Sequence, residues 1–450
     1  MTQHNSTTKD LADIVFKKLQ GAKVNSQLPS RDVLKALFEN LYYASIKTEE
    51  SDFIKVTVTL IDPENPDPSP PGRIVKDRWN YIYFKESIPF NVKNLVKLSK
   101  AADPWSSSLA VYFNNKNELN IWGLIDQAVH YQSFLHYEAD SGPEQPGLFQ
   151  TSVTGIGNLV VIFDYELIAT LKQNVLISNY LDVFTRGNVY ELLKKHSSGF
   201  IEKLRSFTTK NFSEEDLFFG ENYFISDWAK ILSRLLIRIQ NYQHGGAILI
   251  TNNYNTDLDI KHKIKYDRLF NSVTNHAKLA ISNYYYSNII HNEFMEEDKS
   301  VPMGLYLDES VSDFTKKETE DELKGSIRFV ASLGCIDGLV VLNTELKVKG
   351  FGAVIQNIKL PKYVYISKSS LISKSKLVPI NPNHFGTRHR SMFSYCWNHK
   401  GSLGFVVSQD GDIRVVTRID NKLIMWENIK VQHLFNSRNL KRPKKNKSGT

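Results

Sequence analysis

Short apolar runs separated by turn residues fill the first half of the chain and predict a β-rich unit. One helix is predicted ahead of them, because Ser30 is placed as an N-cap and apolar residues recur at helical spacing from Val33 to Leu41. The strand-like runs are FIKVTVTLI (53–61), WNYIYF (79–84), SLAVYF (108–113), LNIWGL (119–124) and GNLVVIFDY (157–165). The stretch from Asp62 to Gly72 carries five prolines and is expected to be an exposed loop. Two helices are expected after the strands, over about 166–181 and 188–206.

The second half has a different pattern, in which amphipathic helices alternate with short apolar strands. Ser226 is placed to cap a helix whose apolar face runs from Trp228 to Ile239 and which ends at Gly245-Gly246. Further helices are expected over about 267–296, 318–333 and 388–400, and strands at 247–251, 335–342, 346–355, 403–408 and 412–417. The strands at 335–342 and 346–355 are joined by a short turn, which predicts a hairpin. This alternation indicates an α/β domain with a mixed sheet.

Two domains and a tail follow from these patterns. We place the boundary in the polar stretch TTKNFSEED (208–216), which gives domains over 1–215 and 216–437 and a tail over 438–450. The fold class is α/β, with a C-terminal mixed sheet flanked by helices and a β-rich α+β domain before it. No apolar run approaches the ~20 residues that cross a bilayer. The N-terminus also lacks the apolar stretch of a secretory signal, so we expect a cytoplasmic protein with no membrane partner.

Composition changes this picture mainly at the C-terminus. The formal net charge is +8, from 56 basic and 48 acidic residues, and six of the basic residues lie in the tail over 438–450, which has no acid. Such a tail either contacts nucleic acid or anionic lipid or is a solvated, disordered terminus, and we favour the second interpretation. Cys335 and Cys396 are too few for a disulfide framework or a four-ligand zinc site.

Asp337-Gly338 is the first of three segments with candidate chemistry. The carboxylate of Asp337 stands at the entry of an otherwise apolar strand, where burial without a partner is costly. It would either cap a neighbouring turn or helix, or bind a metal ion, and the sequence leaves both open.

The second segment is Gly386-Thr387-Arg388-His389-Arg390, at the start of a predicted helix. A helix N-terminus offers free N–H groups, arginine offers a planar fork of donors, and glycine allows close backbone approach, so the segment suits polyphosphate. A solvated helix face is the equally weighted alternative.

The third segment, Ser408-Gln409-Asp410-Gly411-Asp412, follows a predicted strand. Ligands of open α/β sheets gather beyond the carboxyl ends of strands, which favours a binding role. An ordinary Asp-Gly hairpin turn explains the same residues equally well.

Taken together, the three segments resemble the diadenylate cyclase (DAC) domain of bacterial and archaeal cyclic-di-AMP synthases. That family has Asp-Gly-Ala at a strand, Gly-Thr-Arg-His-Arg opening a helix, and Val-Ser-Glu after the next strand. The corresponding positions here are, in the same order, Asp337-Gly338-Leu339, Gly386 to Arg390, and Val407-Ser408-Gln409. The segments GGAILI (245–250) and IKYD (264–267) resemble the family's entry strand and the loop after it. The resemblance covers about 225–430, and its specific part is GTRHR, which matches at all five positions.

The resemblance implies a domain that condenses two ATP into cyclic di-AMP and two pyrophosphates, at a homodimer or higher oligomer of DAC domains. Asp337 and Gly338 would form the catalytic motif, and Asp337 would help to bind a divalent metal, Mn²⁺ or Mg²⁺. The residues expected at ATP and its phosphates are Gly386, Thr387, Arg388, His389, Arg390, Leu339 and Ser408.

Two departures from the family pattern bear on turnover. Leu339 replaces a small alanine, so it would either crowd the nucleotide or contact its adenine or ribose. Gln409 replaces a glutamate and removes a charge directed at the metal, and Asp410 is the nearest substitute as a metal ligand.

The first half is similar to sensor domains placed before some DAC domains, in particular the type labelled DACNV. The similarity lies in SLAVYF, LNIWGL and VTGIGNLVVIF (153–163) and implies regulation by a ligand that the sequence does not identify. The alternative function is a catalytically inactive DAC-like nucleotide receptor, motivated by Leu339 and Gln409. A nucleic-acid-binding protein led by the basic tail is a third hypothesis, and we do not expect nucleic acid as a partner.

Overall fold

The computed structural model divides the chain into two compact units, one ending at Tyr180 and the next beginning at Leu181. The residues that it describes are 5–20, 28–66, 79–102, 107–126, 148–163, 166–208, 214–254, 257–296, 299–356, 359–409 and 411–431.

The β-strands are numbered in chain order over both units. Those of the first unit are β1 (Thr48–Glu49), β2 (Asp52–Phe53), β3 (Val56–Leu60), β4 (Asn80–Pro89), β5 (Ser107–Phe113), β6 (Leu119–Asp126), β7 (Phe149–Gly155), β8 (Asn158–Phe163), β9 (Glu166–Lys172) and β10 (Val175–Ile177). Those of the second are β11 (Gly246–Ile250), β12 (Leu258–Tyr266), β13 (Leu339–Leu342), β14 (Val348–Ile355), β15 (Val364–Ser367), β16 (Val378–Ile380), β17 (Leu403–Val407), β18 (Ile413–Ile419) and β19 (Lys422–Trp426).

The α-helices are numbered in the same way. They are α1 (Thr8–Leu19), α2 (Arg31–Ser45), α3 (Val92–Leu98), α4 (Asn188–His196), α5 (Ser198–Thr208), α6 (Glu214–Asn241), α7 (Arg268–Ile289), α8 (Met303–Leu333) and α9 (Thr387–Asn398). A π-helical turn, Ile290–Met295, extends α7.

The described part of the first unit is built on an eight-stranded sheet, ordered β10-β9-β8-β7-β3-β5-β6-β4. Only β3 and β5 pair in parallel, because β4 and α3 lie between them in the chain and carry it back to the same end. Helix α2 begins as predicted, with the Ser30 hydroxyl accepting a hydrogen bond from the Val33 N–H at 3.2 Å. Its apolar face, which includes Leu34 and Phe38, is buried in the core on one side of the sheet.

The helix predicted over 166–181 is wrong. This segment forms strands β9 and β10, which pair with each other around a turn at Gln173, where φ is +54°. Strand β8 extends the same antiparallel ladder through β9. Short apolar runs have no periodicity that separates helix from strand, and pairing with β8 decides the outcome here.

Residues 181–208, which we expected in the first domain, lie in the second unit. The Leu181 N–H donates to the Asn428 carbonyl at 2.8 Å, and the Lys430 N–H donates to the Leu181 carbonyl at 2.9 Å. Phe200 of α5 packs on Trp228 of α6 with ring centroids 5.1 Å apart. The polar composition of 208–216 therefore marks a connection inside the second unit.

Helix α6 also begins earlier than predicted. Ser226 lies inside the helix that runs from Glu214 to Asn241, so it is not an N-cap. The segment from Trp228 to Ile237 is buried, including its polar side chains Lys230 and Arg234, so the apolar pattern does not mark where the helix begins.

The second unit contains, in its described part, a nine-stranded mixed sheet ordered β12-β14-β13-β11-β17-β18-β19-β15-β16. The pairs β11–β13 and β15–β19 are parallel and the other pairs are antiparallel. Alternate residues of β11, Ala247 and Leu249, belong to a core cluster with Phe393 of α9, while Ile248 and Ile250 are buried as well. Both faces of this sheet are therefore covered, and the expected fold class is confirmed.

The division at Leu181 predicts the stability of two fragments. A fragment over 181–434 should unfold in one cooperative urea transition. A fragment over 216–434 lacks α4 and α5 and should have a free energy of unfolding lower by about 3 kcal/mol or more, because Trp228 loses the buried Phe200 ring. Equal urea midpoints for the two fragments would contradict the assignment of α4 and α5 to this unit.

Candidate functional site

The three predicted segments converge on one edge of the nine-stranded sheet. Gly246, the first residue of β11, pairs with Val407, the last residue of the antiparallel β17. Strand β13 runs parallel to β11 with Val340 opposite Ile248, so both strands start at the same edge. Asp337-Gly338 before β13, Gly245 before β11 and Ser408 after β17 therefore share this edge.

Arg388 brings the start of α9 to the same edge. Gly245 adopts φ +66°, and a Cβ built on it would lie 2.7 Å from Arg388 Nη1, 3.0 Å from the Val407 carbonyl oxygen and 3.1 Å from the Gln409 nitrogen. The guanidinium therefore lies against the backbone where β11 starts and β17 ends. Any side chain at position 245 would displace it.

Gly338 fixes the chain that carries Asp337. Its φ is +106°, and a Cβ on it would lie 2.6 Å from the Gly352 carbonyl carbon of β14. The backbones at Gly338 and Gly352 approach each other next to Leu339, after which the pairing register of β13 with β14 shifts. The side chain of Asp337 is exposed, and no described residue bonds or pairs with it. The structure thus supplies no partner for a capping role, and metal binding by Asp337 stays a prediction.

Leu339 lies in the core. Its side chain is 5% exposed and belongs to the cluster that includes Val341, Ala353 and Phe393. As the first residue of β13 it points to the face that α9 covers. The resemblance placed Leu339 against a nucleotide, whereas the structure gives it apolar protein neighbours.

The first turn of α9 is open to solvent. Gly386 occupies the N-cap position without a capping side chain, and nothing lies within 4 Å of a Cβ built on it. The first helical hydrogen bond joins the Arg390 N–H to the Gly386 carbonyl at 3.1 Å. The N–H groups of Thr387, Arg388 and His389 therefore have no acceptor within the helix, and the helix dipole favours an anion there.

The side chains of the GTRHR segment point in different directions. Successive helical residues are rotated by about 100°, so the four side chains cannot all face one ligand. Thr387 is exposed, Arg388 lies at the sheet edge, and His389 packs between Phe385 and Phe393 at centroid distances of 5.6 and 6.1 Å. Arg390 is half-buried, and its Nε has no hydrogen-bond partner among the described residues.

His389 is a neutral side chain at physiological pH. Burial lowers its pKa to about 4, and the nearby cations Arg414 and Arg388 act in the same direction against a weaker opposing effect of Asp412. Arg414 Nη1 lies 3.1 Å from His389 Nε2. The positive charge of the segment therefore resides on Arg388 and Arg390.

The segment after β17 forms a hairpin turn. The Ser408 hydroxyl accepts from the Asp412 N–H at 3.0 Å, and the Ser408 N–H donates to the Asp412 carbonyl at 2.9 Å. Gln409 is exposed beside Gly245, and Asp410 lies outside the described residues. The turn interpretation is confirmed, and a binding role for Ser408 and Asp410 stays a prediction.

Binding of a divalent metal at this site stays a prediction. Among the described residues, no three His, Cys, Asp or Glu side chains cluster as metal ligands would. Magnesium is commonly held by one or two carboxylates and by substrate phosphates, and Asp337 supplies one such carboxylate. The donor set therefore suits a metal–nucleotide complex.

Sequence reasoning missed Arg414 and Glu427. Arg414 Nε donates to Glu427 Oε1 at 2.9 Å. Arg414 lies on β18, and Glu427 directly follows the neighbouring strand β19. Arg414 shares a strand face with Val416, which packs in the cluster beneath α9. The alternation in IRVVT (413–417) was the available signal, since it places Arg414 on the same strand face as Val416.

Comparison with known proteins concerns the first unit. Residues 23–126 match the family described as "Probable sensor domain DACNV". This match supports the sensor resemblance of the N-terminal region and does not extend to the second unit. No curated protein matches the chain. None of the helices in the described ranges is both long and apolar enough to span a membrane.

The close approach of the Gly338 and Gly352 backbones predicts that adding one methyl group at position 338 strongly destabilises the fold. Gly338→Ala should lower the free energy of unfolding by about 2–3 kcal/mol, because a Cβ would meet the Gly352 backbone and L-residues rarely adopt this φ. Gly325→Ala is the matched control, since nothing lies within 4 Å of that site in α8 and alanine favours a helix. Urea unfolding should give opposite signs for the two variants, and a neutral Gly338→Ala would contradict the described geometry.

Proposed function

We propose that the second unit is a diadenylate cyclase, which condenses two ATP into cyclic di-AMP and two pyrophosphates under control of the N-terminal sensor domain. The observation that carries the proposal is the sheet edge shared by Asp337, which is exposed and has no partner among the described residues, and by Arg388 at the open start of α9. The complete GTRHR match and the DACNV match over 23–126 support it.

The proposed reaction is attack by the 3′-hydroxyl of each ATP on the α-phosphate of the other. The P–O bond to pyrophosphate breaks as the new phosphodiester forms, and the hydroxyl proton leaves with base or water. Such a transfer depends mainly on alignment and on stabilisation of charge. The N–H groups of Thr387 to His389 would bind phosphate oxygens, and Arg388 and Arg390 would balance their charge.

Asp337 would hold Mg²⁺ or Mn²⁺ together with the phosphates, and the ion would add charge neutralisation at the reacting phosphate. Glycine at 338 matters to this role because it fixes the direction in which the backbone after Asp337 enters β13. The side chain of Asp337 is exposed to solvent at this point.

A partner copy of the chain is part of the proposal. One DAC domain would bind one ATP and supply half of the reaction, so two domains must face each other across the pair of nucleotides. We therefore propose a homodimer or a higher oligomer that forms through the DAC domains.

A catalytically inactive nucleotide receptor is the second candidate function. It is favoured by Gln409, an uncharged and exposed side chain at the position where the family pattern has a glutamate. The Ser408 hydroxyl beside it already accepts a hydrogen bond within its own turn. Phosphate binding by α9 would persist in such a receptor, while metal-assisted turnover would be lost.

Substitution of Asp337 tests the cyclase. Asp337→Asn should lower cyclic di-AMP formation by roughly 100-fold or more, because the carboxylate that would hold the metal ion at the reacting phosphate is lost. Purified full-length protein would be incubated with ATP and either Mn²⁺ or Mg²⁺, and the product quantified by mass spectrometry. Asp308→Asn is the matched control. Asp308 carries an exposed carboxylate on α8, away from the sheet edge, and its substitution should leave the rate unchanged.

Equal product from both variants would refute the role of Asp337. If the full-length chain makes no product, the 181–434 fragment would be assayed next. A folded fragment that binds ATP and makes no cyclic di-AMP would refute the cyclase and retain the receptor.

A further inference from the structure

The two ring nitrogens of His389 have different surroundings. Nε2 lies 3.1 Å from Arg414 Nη1. An arginine guanidinium has only N–H donors, so Nε2 must be the acceptor in this hydrogen bond. The ring proton of neutral His389 is therefore on Nδ1.

Nδ1 makes no hydrogen bond with any described residue, and it is not fully buried. His389 belongs to the first turn of α9, next to the N–H groups without helical acceptors. The neutral His389 ring thus adds the Nδ1–H group to the hydrogen-bond donors at the N-terminus of α9.

Arg414 is itself held in place by two carboxylates. Its Nε donates to Glu427 Oε1 at 2.9 Å, and its Nη2 lies 3.8 Å from Asp412 Oδ2. These contacts compensate the charge of a guanidinium that is mostly buried and fix the direction of its plane. The Nη1 group of Arg414 is therefore held in a fixed direction toward Nε2 of His389.

We propose that Arg414 is a positioning residue, which holds His389 as the Nδ1–H tautomer so that the ring donates a hydrogen bond to an oxygen of a bound nucleotide. The ligand atom is a phosphate oxygen, which accepts hydrogen bonds. This role rests on the proposed nucleotide site, whereas the tautomer itself depends only on the contact with Arg414.

The electrostatic surroundings agree with a neutral ring. Burial lowers the pKa of His389 to about 4, and Arg414 and Arg388 contribute to the lowering, with Asp412 opposing them. A protonated ring would donate from both nitrogens, and it could not accept the hydrogen bond from Arg414. Burial is thus the main cause of the neutral charge of His389, while the contact with Arg414 sets which ring nitrogen donates.

The test begins with the tautomer in the full-length protein at pH 7. Histidine labelled with ¹⁵N in the ring would be observed by NMR, and the His389 signals assigned by their loss in His389→Gln. In the wild type, Nε2 should show the shift of an unprotonated nitrogen and Nδ1 that of a protonated one. Arg414→Met keeps an unbranched side chain and removes the donor, so this tautomer should no longer be fixed.

Arg418→Met is the matched control. Arg418 lies on the same face of β18 and contacts the other end of α9, where its Nη1 donates to the Trp397 carbonyl at 2.8 Å. This variant should keep the wild-type tautomer. A wild-type His389 that is protonated on Nε2 would overturn the proposal.

The second part of the test measures binding of 3′-deoxy-ATP with Mg²⁺, a probe that lacks the attacking hydroxyl. The Kd should rise roughly tenfold in Arg414→Met, by the amount typical of one hydrogen bond to a charged group. It should stay within twofold of wild type in Arg418→Met. Wild-type affinity in Arg414→Met would overturn the positioning role. Failure of the wild type to bind the probe would refute the proposed function, while the NMR result would still decide the tautomer.

Discussion

The parallel pairing of β11 with β13 is the constraint on which the candidate site depends. Because these strands start at the same edge, and because β17 ends there as the antiparallel neighbour of β11, three distant segments come to share this edge. The core residues of β11 are buried on both faces, so the strand cannot shift without exposing apolar surface. Gly245 then admits Arg388 at the edge, and Gly338 admits the backbone of β14.

Positive charge at this edge is distributed unevenly, and the amino-acid sequence of the GTRHR segment alone does not predict this distribution. Arg388 lies at the sheet edge, whereas His389 accepts a hydrogen bond from a cation and is uncharged. Arg414 is neutralised by Glu427 and Asp412. The site therefore combines a small number of free cations with several neutral N–H donors, and donors of both kinds recognise phosphate oxygens.

Local patterns were enough to predict the elements that carry the site. The apolar strand after Gly246, the hairpin around Asn343 and the helix that starts after Gly386 follow from periodicity and turn residues. Long-range pairing decided what the sequence could not. Strand β9 was read as helix because only its partner β8 distinguishes the two, and the burial of Leu339 was not predicted because it depends on where α9 packs. The Arg414–His389 contact joins residues 25 positions apart and has no local signature.

The way in which the chain enters the second unit has a consequence for its ancestry. Leu181 forms a parallel bridge with Ile429, close to the last described residue of this unit, Val431. The start of the unit thus lies beside the segment that follows β19. A domain whose terminal segments are neighbours can be joined to different preceding domains without rearrangement of its interior. Exchange of the domain before Leu181 would therefore leave the register of the described strands unchanged.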